Sequence, residues 1–244
     1  MGVLALGKPL ANPLALMRKN AAGGGGSAGR PKLTLIYSTE QPAYILPDGY
    51  KYVRFTLIAS GGFASTPTAS TRGGAGGGGG GTCRSFKLPI IDKSFSTRLV
   101  YENASSTPYQ LVYGGMTMSV YRGAGSISNA TPGAGGAATI TAGYGEAFPG
   151  GAGQLGGDAG ANRVGFAGGD GGSTAFPELP FGGGGGGGGA GSTTTEPSFR
   201  AGGKGGPGAI AGTASVGNTN GAGVDIAIAS TRFGSLAGLI IELW

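Results

Sequence analysis

Apolar and polar residues alternate only in short stretches of this chain, and long glycine runs separate those stretches. Residues 32–38 (KLTLIYS) alternate and are rich in β-branched groups, so they are expected to form a strand. A Pro-Asp-Gly turn at 47–49 leads into a second strand, expected over 52–59 (YVRFTLIA), which runs directly into glycine. Further strands are expected at 85–91, 96–101, 109–113 and 117–122, with turns at 103–108 and 114–115. Together they read as a small antiparallel sheet. Strand character returns at 224–229 and 236–244, and the apolar chain end is expected to close the sheet that 52–59 opens. The one helical pattern is a turn or two over residues 14–19, which Gly23 and its neighbours stop and which is too short to stand alone.

Composition changes this picture for half the chain. Fifty-eight of the 244 residues are glycine, with runs at 76–81 and 182–189. Glycine loses the most conformational freedom on folding and has no side chain to pack, so helices or central strands made of it are penalised. The polyproline II conformation is open to glycine. It rises about 3.1 Å per residue with three residues per turn and makes no internal hydrogen bonds, so each amide needs an outside partner. The expected arrangement is a bundle or sandwich of polyglycine II rods with a main-chain interior, in which residues 182–189 would form a buried rod spanning about 25 Å. The fold class expected is therefore mainly β and irregular, a small antiparallel β-sheet part combined with a polyglycine II bundle and little α-helix. By composition the chain divides into an arm (1–31), a β-rich part (32–122) and a glycine-rich part (123–244) closed by a C-terminal strand.

Charge and missing residue types narrow the chemistry. Lysine and arginine outnumber aspartate and glutamate by 17 to 11. The excess lies in residues 1–122, which suits either docking to an acidic partner or scattered solvated charge. There is no histidine and one cysteine, Cys83, which removes intrachain disulfides, Cys/His zinc sites and His-based nucleophilic triads. Cys83 is expected to be a small buried thiol. No enzyme activity, cofactor or metal is expected. The GxGxxG matches lack a strand–helix unit, Lys204 is followed by glycine where a P-loop has Ser/Thr, and Asp158 and Asp170 read as turn residues. A single Arg-Gly-Gly at 72–74 does not make a nucleic-acid-binding segment, and no segment has the roughly 20 apolar residues that cross a bilayer. The N-terminus carries no secretory signal pattern.

Three pieces occur in order over residues 45–244: ILPDGYKYVRFTLIASGG at 45–62, GGDGGSTAF leading into the glycine run at 168–189, and GGKGGPG at 202–208 followed by the closing strand AGLIIELW. In this order they resemble the glycine-rich domain of bacteriophage tail and tail-fibre proteins, adhesin-like proteins of the virion. The segment 83–122 departs from that pattern in having fewer glycines. The resemblance implies a virion protein, made in the host cytoplasm, with receptor binding at loops between the rods. It carries over no catalytic residue.

The expected function is thus a tail-fibre or tail-tip component that contributes to host attachment. The alternatives are a capsid decoration or head-fibre protein without receptor binding, or a glycine-rich ice- or carbohydrate-binding module. Tyr144, Phe148, Arg163, Phe166 and Phe181 are the large groups in a region of small ones, so they are the candidate receptor-binding residues, with capping of the rod ends as the competing role. Leu14, Leu16, Met17, Arg18 and Lys19 are the candidate particle-anchoring residues of the arm. The partners expected are other virion proteins through that arm, a bacterial surface protein or polysaccharide, and further copies of the chain in a homo-oligomer such as a trimer. No nucleic acid or membrane insertion is expected.

Overall fold

The computed structural model describes residues 31–37, 44–64, 75–99, 107–126, 131–155, 172–176, 181–183, 198–200, 215–217 and 237–244. Among them the chain is mainly β, with antiparallel pairing throughout and no helix. The arm up to residue 30 and the strand expected at 224–229 lie outside the described residues.

Two sheets face each other. The first has the order β1 (Leu33–Tyr37), β13 (Gly238–Leu243), β3 (Tyr52–Ile58), β4 (Thr82–Ser85) and β10 (Gly145–Phe148), with β5 (Leu88–Pro89) also pairing β3. The second runs β2 (Tyr44–Ile45), β6 (Ser94–Arg98), β7 (Tyr109–Tyr113), β8 (Met116–Val120) and β9 (Ala138–Ile140). A separate pair joins β11 (Ser198–Arg200) and β12 (Ser215–Gly217). As the alternation of 52–59 and 236–244 implies, β13 pairs β3, with Leu239 opposite Leu57 and Leu243 opposite Val53.

That register places Val53, Phe55, Leu57, Leu239, Ile241 and Leu243 on the face turned towards the second sheet, which answers with Phe95, Leu111, Met116, Met118 and Val120. The Phe55 ring sits 5.2 Å from Phe95 and 5.1 Å from Tyr113, tying the sheets together at their centre. Full burial of each such aliphatic or aromatic group contributes about 1.5–3 kcal/mol. Cys83 points into this core as expected. Its thiol donates towards Thr139 O at 3.1 Å, and burial pushes its pKa up to about 12.

The glycine run at 75–81 enters β4 directly, and its environment has almost no side chains. Gly78 and Gly81 donate to Ala124 O and Tyr121 O, both at 3.0 Å, while Gly76 and Gly79 donate to Gln154 O and Gly151 O, both at 2.8 Å. Gly80 donates to Gly182 O at 2.7 Å. In the accepting direction, Gly133 and Gly136 donate to Gly76 O and Gly79 O, Gly62 and Ala59 to Gly78 O and Gly81 O, and Gly172 to Gly77 O. Partners on one neighbour recur every third residue. The run therefore sends bonds in successive directions around its own axis, to six surrounding stretches of chain.

Those stretches also bond one another. Gly123 donates to Ser60 O, Ala124 to Ala134 O, Gly150 to Gly136 O, and Gly151 to Ser173 O. Here glycine is required by space. A Cβ on Gly77 would lie 2.6 Å from Phe63 O and one on Gly80 would lie 2.8 Å from Ser60 O, distances that real Cβ atoms do not reach. Of the run 182–189, in which a buried rod is expected, only Gly182 and Gly183 are described. The compositional boundary at residue 122 falls within the stretch 121–126, which bonds to both 76–81 and 131–137.

Candidate binding surface

Of the five residues expected to read a receptor, the three that are described, Tyr144, Phe148 and Phe181, do not share one patch. Tyr144, in the turn before β10, donates its hydroxyl to Gly114 O at 3.3 Å and packs against the core between the sheets. Phe148 lies at the other end of β10, opposite Thr82, where its ring meets Phe176 edge-on at 5.7 Å. Phe181 is only 7% exposed and packs with Ile58, Ile240 and Ile36 on the outer face of the first sheet. It covers Gly238 so closely that a Cβ there would lie 2.5 Å from the ring. This burial commits the Phe181 ring to packing. Arg163 and Phe166 lie outside the described residues, as do Leu14, Leu16, Met17, Arg18 and Lys19.

The side chains that do converge are on the outer face of the first sheet. Strand alternation puts Tyr52, Arg54, Thr56 and Ile58 on this face of β3, and Ile240 and Glu242 on that of β13. The Glu242 carboxylate sits between two guanidinium groups, 3.5 Å from Arg54 and 3.3 Å from Arg84. Arg84 in turn lies over Phe176, and Arg54 over Trp244, at 5.0 and 5.1 Å from the ring centroids. Lys87 lies over both Tyr52 and Trp244, at 4.8 and 4.7 Å.

A change of register brings Lys87 there. Arg84 pairs with Thr56, but Leu88 pairs with Val53, so three residues on one strand, 85–87, stand opposite two on the other. The extra residue is a β-bulge, which bends a strand and re-aims its side chains. At this bulge Phe86 is 52% exposed, and the neighbouring Tyr52 is 43% exposed. The sheet end is also rich in cations, since exposed Lys32 and Lys51 donate their amides to Leu243 O and Trp244 O. Nearby Asp48 is paired with Lys93, and Ser94 holds the Asp92 carboxyl below the usual carboxylate range through its amide and hydroxyl.

Alternation could have placed Tyr52 with Arg54, and Glu242 with Trp244, each on its own strand. The bulge that adds Phe86 and Lys87 has no signature in the residues SFKLP. Among the described residues no group of three or more His, Cys, Asp or Glu could hold a metal, and no helix is long and apolar enough to cross a membrane. No protein-family model matches the chain, and no curated protein matches it.

Proposed function

We propose that this chain is a non-catalytic structural protein of a bacteriophage particle, a tail-fibre or tail-tip component that contributes to host attachment. In this reading the glycine stretches around residues 75–81 are a polyglycine II bundle, and residues 1–31 anchor the protein to other virion proteins. The observation that carries the reading is the three-residue repeat of hydrogen bonds between the central run and four of its six neighbours. A bundle of this kind is stiff and has an interior of peptide groups, properties suited to a projecting rod. The absence of histidine and the buried, protonated thiol of Cys83 leave the usual nucleophilic machinery without its parts.

One observation favours the second reading, a decoration or head-fibre protein without a receptor. Phe181, expected at the receptor surface, is buried, and Tyr144 is occupied in joining β10 to the turn at Gly114. The test is labelling of purified particles with a gold-conjugated antibody raised against the chain, viewed by negative-stain microscopy. Label at the tail end supports the leading proposal, and label on the head replaces it with the second. Particles that carry the chain's gene but no label would remove both.

A further inference from the structure

We infer that the bulged end of the first sheet, formed by Tyr52, Arg54, Phe86, Lys87 and Trp244, binds an acidic polysaccharide of the uronate type. The inference does not depend on the particle reading. It starts from the β-bulge at residues 85–87, which carries an exposed phenyl ring, Phe86, next in sequence to a lysine that lies over Tyr52 and Trp244. Exposed aromatic groups cost free energy in water. Rings such as those of Tyr52 and Phe86 offer flat surfaces on which the C–H face of a sugar can lie.

The charge at the same end selects an acidic sugar. Glu242 is already matched by Arg54 and Arg84. Lys87 makes no ion pair among the described residues, and its ammonium group is held over two rings with donors left over. Lys32 and Lys51 add exposed cations, while Asp48 is paired with Lys93. A uronate residue supplies what is missing, one carboxylate for Lys87 and an apolar ring face for the aromatic groups. Successive residues of such a chain would meet the remaining cations. A purely structural role for the cation–ring contacts explains Arg54 over Trp244, but it does not explain why the bulge leaves Phe86 exposed.

The experiment is affinity electrophoresis of the whole chain in native gels containing polygalacturonate, alginate or hyaluronate. Gels with neutral dextran and with polyglutamate, a polyanion without sugar rings, serve for comparison. Retardation is expected in at least one of the three uronate gels, weakened by salt, absent in dextran and much smaller in polyglutamate. Phe86→Ala and Lys87→Gln are each expected to weaken the uronate interaction roughly tenfold, the scale of losing one well-placed contact, while Tm stays within a few degrees of the parent. The inference is overturned if none of the three uronate gels retards the chain. Equal retardation by polyglutamate that Phe86→Ala leaves unchanged also overturns it, because charge alone would then account for binding. If the parent self-associates and Phe86→Ala abolishes that association, the patch belongs to a second copy of the chain instead.

Discussion

Replacing Gly79 with alanine tests the packing of the central run at one atom. A Cβ on Gly79 would lie 2.7 Å from the carbonyl carbon of Ser173, and ordinary contact begins near 3.4 Å. The obstacle is backbone, so no rotamer change relieves it. Residues 172–173 must move outward by at least about 0.7 Å, because the Ser173 carbonyl oxygen lies closer still. Two hydrogen bonds hold them, Gly172 to Gly77 O and Gly151 to Ser173 O, both at 2.8 Å. An added ~0.7 Å stretches these to the limit at which an N–H···O bond is lost. A buried bond left unmade costs about 1–3 kcal/mol, so the substitution is expected to cost about 2–6 kcal/mol.

At roughly 2–4 °C per kcal/mol for a chain of this size, the Tm falls by about 4–24 °C. The control is Gly143→Ala, where φ is 81° and a Cβ meets nothing within 4 Å. Its cost is only the left-handed backbone strain, about 1–2 kcal/mol. Both variants are followed by thermal unfolding in the far ultraviolet. If Gly79→Ala melts at or above the temperature of Gly143→Ala, the central run is not packed as described and the reasoning fails.

Two further outcomes follow from the same structure. Because burial raises the Cys83 thiol from its ordinary 9.0 to about 12, the folded state holds this proton more tightly than the unfolded one. Its contribution is intact below about pH 9 and is lost as pH rises towards 12, at up to about 1.4 kcal/mol per pH unit. The urea midpoint of the parent relative to Cys83→Ala should therefore shrink above pH 9, and a pH-independent difference would contradict this. Glu242→Gln leaves Arg54 and Arg84 facing each other without their shared carboxylate. Because both arginines are about a third exposed, the expected cost is a modest ~1–2 kcal/mol, read as a lower Tm that added salt partly restores. An unchanged Tm would mean that the carboxylate is not needed there.

Wherever large side chains alternate, the sequence was readable. The alternation in YVRFTLI, YQLVY and GLIIEL corresponds to β3, β7 and β13, with Val53, Phe55 and Leu57, Tyr109, Leu111 and Tyr113, and Leu239, Ile241 and Leu243 on the face buried between the sheets. The stretch expected as one strand at 85–91 is instead β4 and β5 on either side of the bulge, because an extra residue breaks the period that pattern reading depends on. β10, with the sequence GEAF, lacks that pattern and gains its place by pairing with β4. The glycine stretches were legible as a composition but not as an arrangement. Identical residues carry no pattern that marks register, so their alignment is fixed from outside, by where β3 ends at Ile58 and where β4 begins at Thr82. The binding surface was hidden for a related reason, since Tyr52, Lys87 and Trp244 meet only through cross-strand register.

The continuity of the central run with β4, and of its neighbour at 59–62 with β3, has a mechanical consequence. A tensile load carried along the run reaches the sheet through strands of the main core, so strand-to-strand bonds are loaded in shear together rather than opened one after another. Around residues 76–81, bonds radiate in several directions from the central run, and no single plane of slip separates it from all its neighbours. Such an element transmits force without a weak direction around its circumference.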